Sequence, residues 1–134
     1  MIMKRYFVLL ILFFMTAGIN PVCGESDISK SDQDPVKKIT FDISKCNDEG
    51  LSGPPDGLVA LSYEFCIPAG NDYIQEVKAI DPTVEIYEGS SGRIGCSPEE
   101  YLCIGNTHQK DFKAVLYRLA ALLYVKRIDQ CFWE

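Results

Sequence analysis

Alternation of apolar and polar residues first appears at ITFDI, where Ile39, Phe41 and Ile43 alternate with Thr40 and Asp42 and predict a short strand. Residues 47–57 (NDEGLSGPPDG) are dense in Gly, Pro and Asp and predict a loop. From Leu58 the pattern is steadier. Val59, Leu61, Tyr63, Phe65 and Ile67 alternate with Ala60, Ser62, Glu64 and Cys66, a strand with one buried face that Pro68 ends. Asn71 or Asp72 then caps a helix whose apolar positions Tyr73, Ile74, Val77 and Ile80 recur at helical spacing, and Asp81-Pro82 stops it. Residues 83–87 form the next strand, with Val84 and Ile86 on one face. The segment 88–95 (EGSSGRIG) predicts a turn, bulge or wide loop.

Ser97-Pro98-Glu99-Glu100 has the layout of a capping box opening a single helical turn. Residues 101–105 (YLCIG) follow as a strand, with Leu102 and Ile104 on one face and Tyr101 and Cys103 on the other. Asn106 or Thr107 caps the longest helix, whose stripe is Phe112, Val115, Leu116, Leu119, Leu122 and Leu123. Residues 125–133 read as the last strand, with Ile128 and Phe132 inward. From Leu58 the order is strand, helix, strand, strand, helix, strand. This predicts an α+β fold of the ferredoxin-like βαββαβ type, a four-stranded antiparallel sheet with both helices on one face. A short extra strand and a polar linker precede it.

The N-terminus changes the picture of compartment. Lys4 and Arg5 precede an apolar run, residues 6–17, too short for the ~20 residues of a spanning helix. Residues 1–24 read as a secretory signal peptide cut after Gly24, with Gly18 the second small-residue site and an uncleaved N-terminal anchor the alternative. Residues 25–38 read as a disordered, polar stretch of the linker that runs to residue 57. The domain proper spans 58–134. The expected location is secreted or periplasmic.

Charge and cysteines narrow the function classes. The mature chain sets 19 acidic residues against 11 basic ones, a balance of −8, which argues against nucleic acid and anionic membrane surfaces as partners. Cys46, Cys66, Cys96, Cys103 and Cys131 remain after the signal, and in an exported chain they predict disulfides. Cys96–Cys103 is the favoured pair, clamping a hairpin base, with Cys66–Cys103 its competitor. Cys46 and Cys131 have no assigned partner. Cys66, Cys103 and Cys131 fall on the sheet face away from the helices, where three thiols would ligate a soft metal; no CxxC supports that, and no metal or cofactor is expected.

His108, the sole histidine, lies in GNTHQ at the start of the long helix, where an anion or a general base would fit. Asn106 and Arg93 complete that candidate ligand site. No nucleophile–base spacing points to it, and the glycine-rich run before Cys96 lacks the lysine of a phosphate loop. The expectation is therefore a small disulfide-stabilised binding module, inhibitor-like in one version and not an enzyme, meeting another protein or a small ligand. The alternatives are an anion-binding hydrolase centred on His108 and a metal or thiol-redox protein.

Overall fold

The computed structural model describes residues 34–132; residues 1–33, on which the expected signal peptide and the start of the linker fall, and residues 133–134 lie outside the described residues. Strands β1 (Leu51–Ser52) and β2 (Val59–Ala60) pair as a small antiparallel ladder. The chain continues through β3 (Ser62–Pro68), α1 (Asn71–Ile80), β4 (Glu85–Tyr87), β5 (Glu100–Asn106), α2 (Phe112–Ala121) and β6 (Asp129–Cys131). The last four strands form one antiparallel sheet in the order β4–β5–β3–β6. The fold is α+β, as expected. The chain order differs from the bare six-element unit, because the β1–β2 ladder and two short 3-10 helices, Pro35–Lys38 and Ile43–Lys45, come before it.

One face of the sheet carries the core. Tyr63, Phe65 and Ile67 of β3 stand beside their register partners Gly105, Cys103 and Tyr101 on β5. They pack against Val77 of α1 and against Phe112, Leu116, Leu119 and Ala120 of α2, with Val125 and Ile128 closing the edge. Among the described residues no helix is long and apolar enough to cross a membrane.

The region before β1 departs most from the pattern. Ile39 makes only a single parallel bridge to Ile128, and no strand spans residues 39–43. Aspartates decide this. Asp34 Oδ1 accepts from Val36 N at 3.1 Å and Asp42 Oδ1 from Ser44 N at 3.0 Å, so each nucleates a tight turn that overrides the alternation. Residues 35–38 are likewise helical rather than disordered. Ile39, Phe41 and Ile43 still pack on the core, and Cys46 joins it.

The ends of α2 also moved. Asn106 and Thr107 do not cap it: Asn106 Oδ1 accepts from His108 N at 2.7 Å, and the buried Thr107 hydroxyl donates to Gly50 O at 2.6 Å while accepting from Leu61 N. Thr107 thus fastens the 47–50 loop to Leu61, just ahead of β3, and the helix starts only after Asp111, which takes a left-handed conformation. Its stripe stops at residue 121, so Leu123 is 96% exposed, and Phe132 beyond β6 is 59% exposed. Ile128 is fully buried, as expected of the last strand, and Val125 is buried with it.

A polar network crosses the core at the end of β3. The Tyr63 hydroxyl donates to the Asp81 carboxylate, whose other oxygen accepts from Thr83 N at 2.9 Å, Thr83 Oγ1 at 2.6 Å and Gln109 Nε2 at 3.0 Å. Burial, reinforced by the Asp81 charge, pushes the Tyr63 phenol above its ordinary range and the Cys103 thiol up to about 12. Both groups keep in the folded chain a proton that the unfolded chain gives up sooner. Their contribution is intact at neutral pH and is lost as pH rises from the thiol range towards 12. Urea midpoints are expected to hold level up to roughly pH 9 and to fall above it, less steeply in Cys103→Ala. A wild-type midpoint that does not move by about pH 11 contradicts the burial of these groups.

Candidate binding loop on the open sheet face

The other sheet face carries Ser62, Glu64 and Cys66 of β3, in register with Asn106, Ile104 and Leu102 of β5. It is not bare. The glycine-rich loop between β4 and β5, residues 88–97, folds back over its middle. Gly95 N and Cys96 N both donate to Ser91 O, at 3.1 and 2.8 Å, which closes the loop into a compact turn. Gly92, at φ +60°, lies so close to the sheet that a Cβ there would come within 2.7 Å of Leu102 and 3.0 Å of Glu64. Only glycine meets both demands.

Three ties hold the loop down. Glu64, 2% exposed, accepts from Ile94 N through Oε1 at 2.7 Å. Arg127 donates to Ile94 O at 3.2 Å and pairs with Asp129 at 2.9 Å. The third tie is covalent: a disulfide joins Cys66 to Cys96, with Cα atoms 5.6 Å apart. At the loop's far end Glu100 Oε1 accepts from Ser97 N at 2.9 Å, the reciprocal half of a capping box. No helix follows, because Glu100 already begins β5.

This bridge corrects both expected pairings, Cys96–Cys103 and Cys66–Cys103. Cys103 faces the helices, opposite Phe65 and fully buried, so the sheet itself separates it from Cys66 and Cys96. The phase of β5 was misread because Leu102, covered by the loop, is as buried as the residues on the helix side. A central strand covered on both faces reads as a continuous apolar run, and alternation cannot orient it.

Among the described residues Cys46, Cys103 and Cys131 are reduced. Cys131, in register with Ser62, does share the loop's side of the sheet, and burial followed by the Glu64 charge raises its thiol while Arg93 acts the other way. The three-thiol metal cluster does not assemble: Cys66 is bridged, Cys103 lies behind the sheet, and among the described residues no group of three potential ligands comes together.

The anion-site residues divide. Asn106 and His108 meet through the turn described above, and His108 Nδ1 lies 3.1 Å from Glu49 O. The adjoining pocket is lined by Asp48, Glu49, His108, Gln109 and Lys110, so two acidic residues stand there beside one lysine. Arg93 is not part of that lining; it belongs to the bridged loop, in the electrostatic neighbourhood of Cys131. No family model, curated protein or solved structure matches the chain.

Glu64 is the residue that sequence reasoning missed. A glutamate at a polar position of an alternating strand reads as solvated, and nothing local announces that a loop some thirty residues away will bury it. The pairing of Cys66 with Cys96 has a direct consequence. Cys66→Ser and Cys96→Ser should destabilise the oxidised protein equally, by about 2–4 kcal/mol, with no further loss in the double variant. Unequal losses in urea melts, or losses that add, would show that the two sulfurs are not partners.

Proposed function

We propose that the chain is an exported, non-enzymatic binding module that meets another protein with the bridged loop 88–97, carried on a ferredoxin-like frame. The frame is supported by the run of strand, helix, strand, strand, helix, strand from Ser62 and by the antiparallel order β4–β5–β3–β6. Export rests on Lys4-Arg5, the apolar run after them and the presence of a disulfide.

One observation carries the loop reading: a glycine-rich segment is covalently fastened to the middle of a sheet while its outer residues stay exposed. Glu88, Gly89, Ser90, Ser91 and Arg93 are exposed, and Tyr87 adjoins them at the sheet edge. A loop ordered before binding loses little conformational entropy when a partner docks, which is what tethering contributes to affinity. The turn closed on Ser91 O presents a folded surface to that partner.

The reading is tested with a photo-cross-linking residue placed at Ser90, and in a second protein at Lys110 beside His108. Each is exposed to the extracellular fluid of the producing host. The expected result is a defined protein adduct from position 90 that unlabelled chain competes away and that Cys66→Ser/Cys96→Ser loses. A competable adduct at position 110 with none at position 90 would contradict it.

A further inference from the structure

The bridge has two approaches of different electrostatic character. Cys66, partly exposed, lines a pocket of about 180 Å³ together with Ile94, Gly95, Glu100, Lys126 and Arg127. Cys96, almost fully buried, borders a wider hollow of about 400 Å³ whose charged members are Glu88 and Glu100. Glu100 is common to both and Arg127 is already paired with Asp129 at 2.9 Å, so the difference between them is Lys126 against Glu88. Disulfides are opened by thiolates, and the rate depends on which sulfur is reached and on the field along the approach. We propose that Cys66–Cys96 is a thiol-exchange site, entered through the Cys66 pocket by small thiols that carry an additional anionic group.

The chemistry balances with such a thiol as reductant. Its thiolate attacks Cys66 Sγ, the S–S bond breaks, and the electron pair leaves on Cys96 Sγ, which takes a proton from water. A second thiolate attacks the reductant's own sulfur in the mixed disulfide. Cys66 leaves as a thiolate and is protonated, and the reductant departs as its disulfide. The protein has then gained two electrons and two protons.

Exchange here does not require unfolding, because the bridge and the core lie on opposite faces of the sheet. The buried cluster of Tyr63, Phe65, Ile67, Leu116 and Leu119 makes no use of either sulfur. What reduction removes is the covalent tie of the loop, leaving the Glu64 and Arg127 contacts to Ile94. Its effect on a partner rests on the loop reading above; the exchange itself does not.

The test uses the full secreted protein without denaturant at low ionic strength, after its accessible reduced cysteines have been blocked. It is treated with 2-mercaptoethanesulfonate or with cysteamine, quenched in acid, and the mixed disulfides are mapped by mass spectrometry. Each rate is normalised to the same thiol's rate on an uncharged aliphatic disulfide. The expected result is an adduct on Cys66, formed several-fold faster with the sulfonate. That preference shrinks in high salt and falls or inverts in Lys126→Glu, with the circular dichroism unchanged throughout. Adducts on Cys96, equal normalised rates, or reduction only once the chain unfolds would each overturn the proposal. The Ser90 cross-link is scored separately, so loss of that adduct's specificity with exchange intact would strike the loop reading alone.

Discussion

Replacing Leu119 with alanine is expected to lower the unfolding free energy by about 2–5 kcal/mol, the range for losing a large apolar side chain from a close-packed core. Leu119 is fully buried on α2, among the residues that face β3. Two effects add: the removed carbons lose their transfer free energy, and the space they leave cannot collapse because a sheet forms one of its walls. In a domain whose whole stability is of order 5–15 kcal/mol, such a loss leaves a measurable fraction unfolded. Arg118 precedes Leu119 on the same helix and is exposed; Arg118→Ala should stay within about 0.5 kcal/mol. Equal effects of the two in urea melts would mean that the faces of α2 are reversed.

A loss of similar size, about 3–5 kcal/mol, is expected for Asp81→Ala, by a different mechanism. The carboxylate is fully buried and takes hydrogen bonds from the Tyr63 hydroxyl, the Thr83 amide and hydroxyl, and the Gln109 amide. Removing it leaves the buried Tyr63 O–H without its acceptor, although the hydroxyl oxygen still accepts from Gln109 Nε2 at 3.2 Å, and leaves part-buried donors short of an acceptor. A stranded buried polar group costs about 1–3 kcal/mol, more than the bond itself contributes. Tyr63→Phe removes one donor and leaves the carboxylate three, so it should cost less. In a double-mutant cycle the pair should couple, because Tyr63→Phe has little left to lose once Asp81 is gone. Strictly additive losses would mean that the two side chains do not share this bond. Gly105 belongs to the same account: a Cβ there would lie 2.5 Å from the Tyr63 ring and 2.7 Å from the Asp81 carboxylate, so even alanine would force them apart.

The sequence made the fold class legible and left the site hidden, for definite reasons. Tyr63, Phe65 and Ile67, and the α2 positions from Phe112 to Leu119, each bury one side of an amphipathic element, and periodicity reports that situation directly. Asp81 was read only as a helix stop before Pro82. Its carboxylate is buried because Tyr63, Thr83 and Gln109, remote from one another in sequence, converge on it. The bridged loop stayed hidden in the same way. Its glycines were legible as a turn, yet the Glu64–Ile94 bond spans 30 positions and the Cys66–Cys96 bridge another 30, separations on which local pattern is silent. At residues 39–43 the opposite occurred: the alternation was real, and the Asp42 turn outcompeted it.

The central claim is that a covalent bridge pins loop 88–97 across the sheet. It is tested most directly by disulfide mapping of the protein isolated from its own host, digested without reduction and read by mass spectrometry. The account predicts one cross-linked peptide pair containing Cys66 and Cys96, with Cys46, Cys103 and Cys131 recovered as thiols. A pair joining Cys96 to Cys103, or Cys66 to Cys103, would contradict it, since Cys103 would then have to leave the buried face of the sheet.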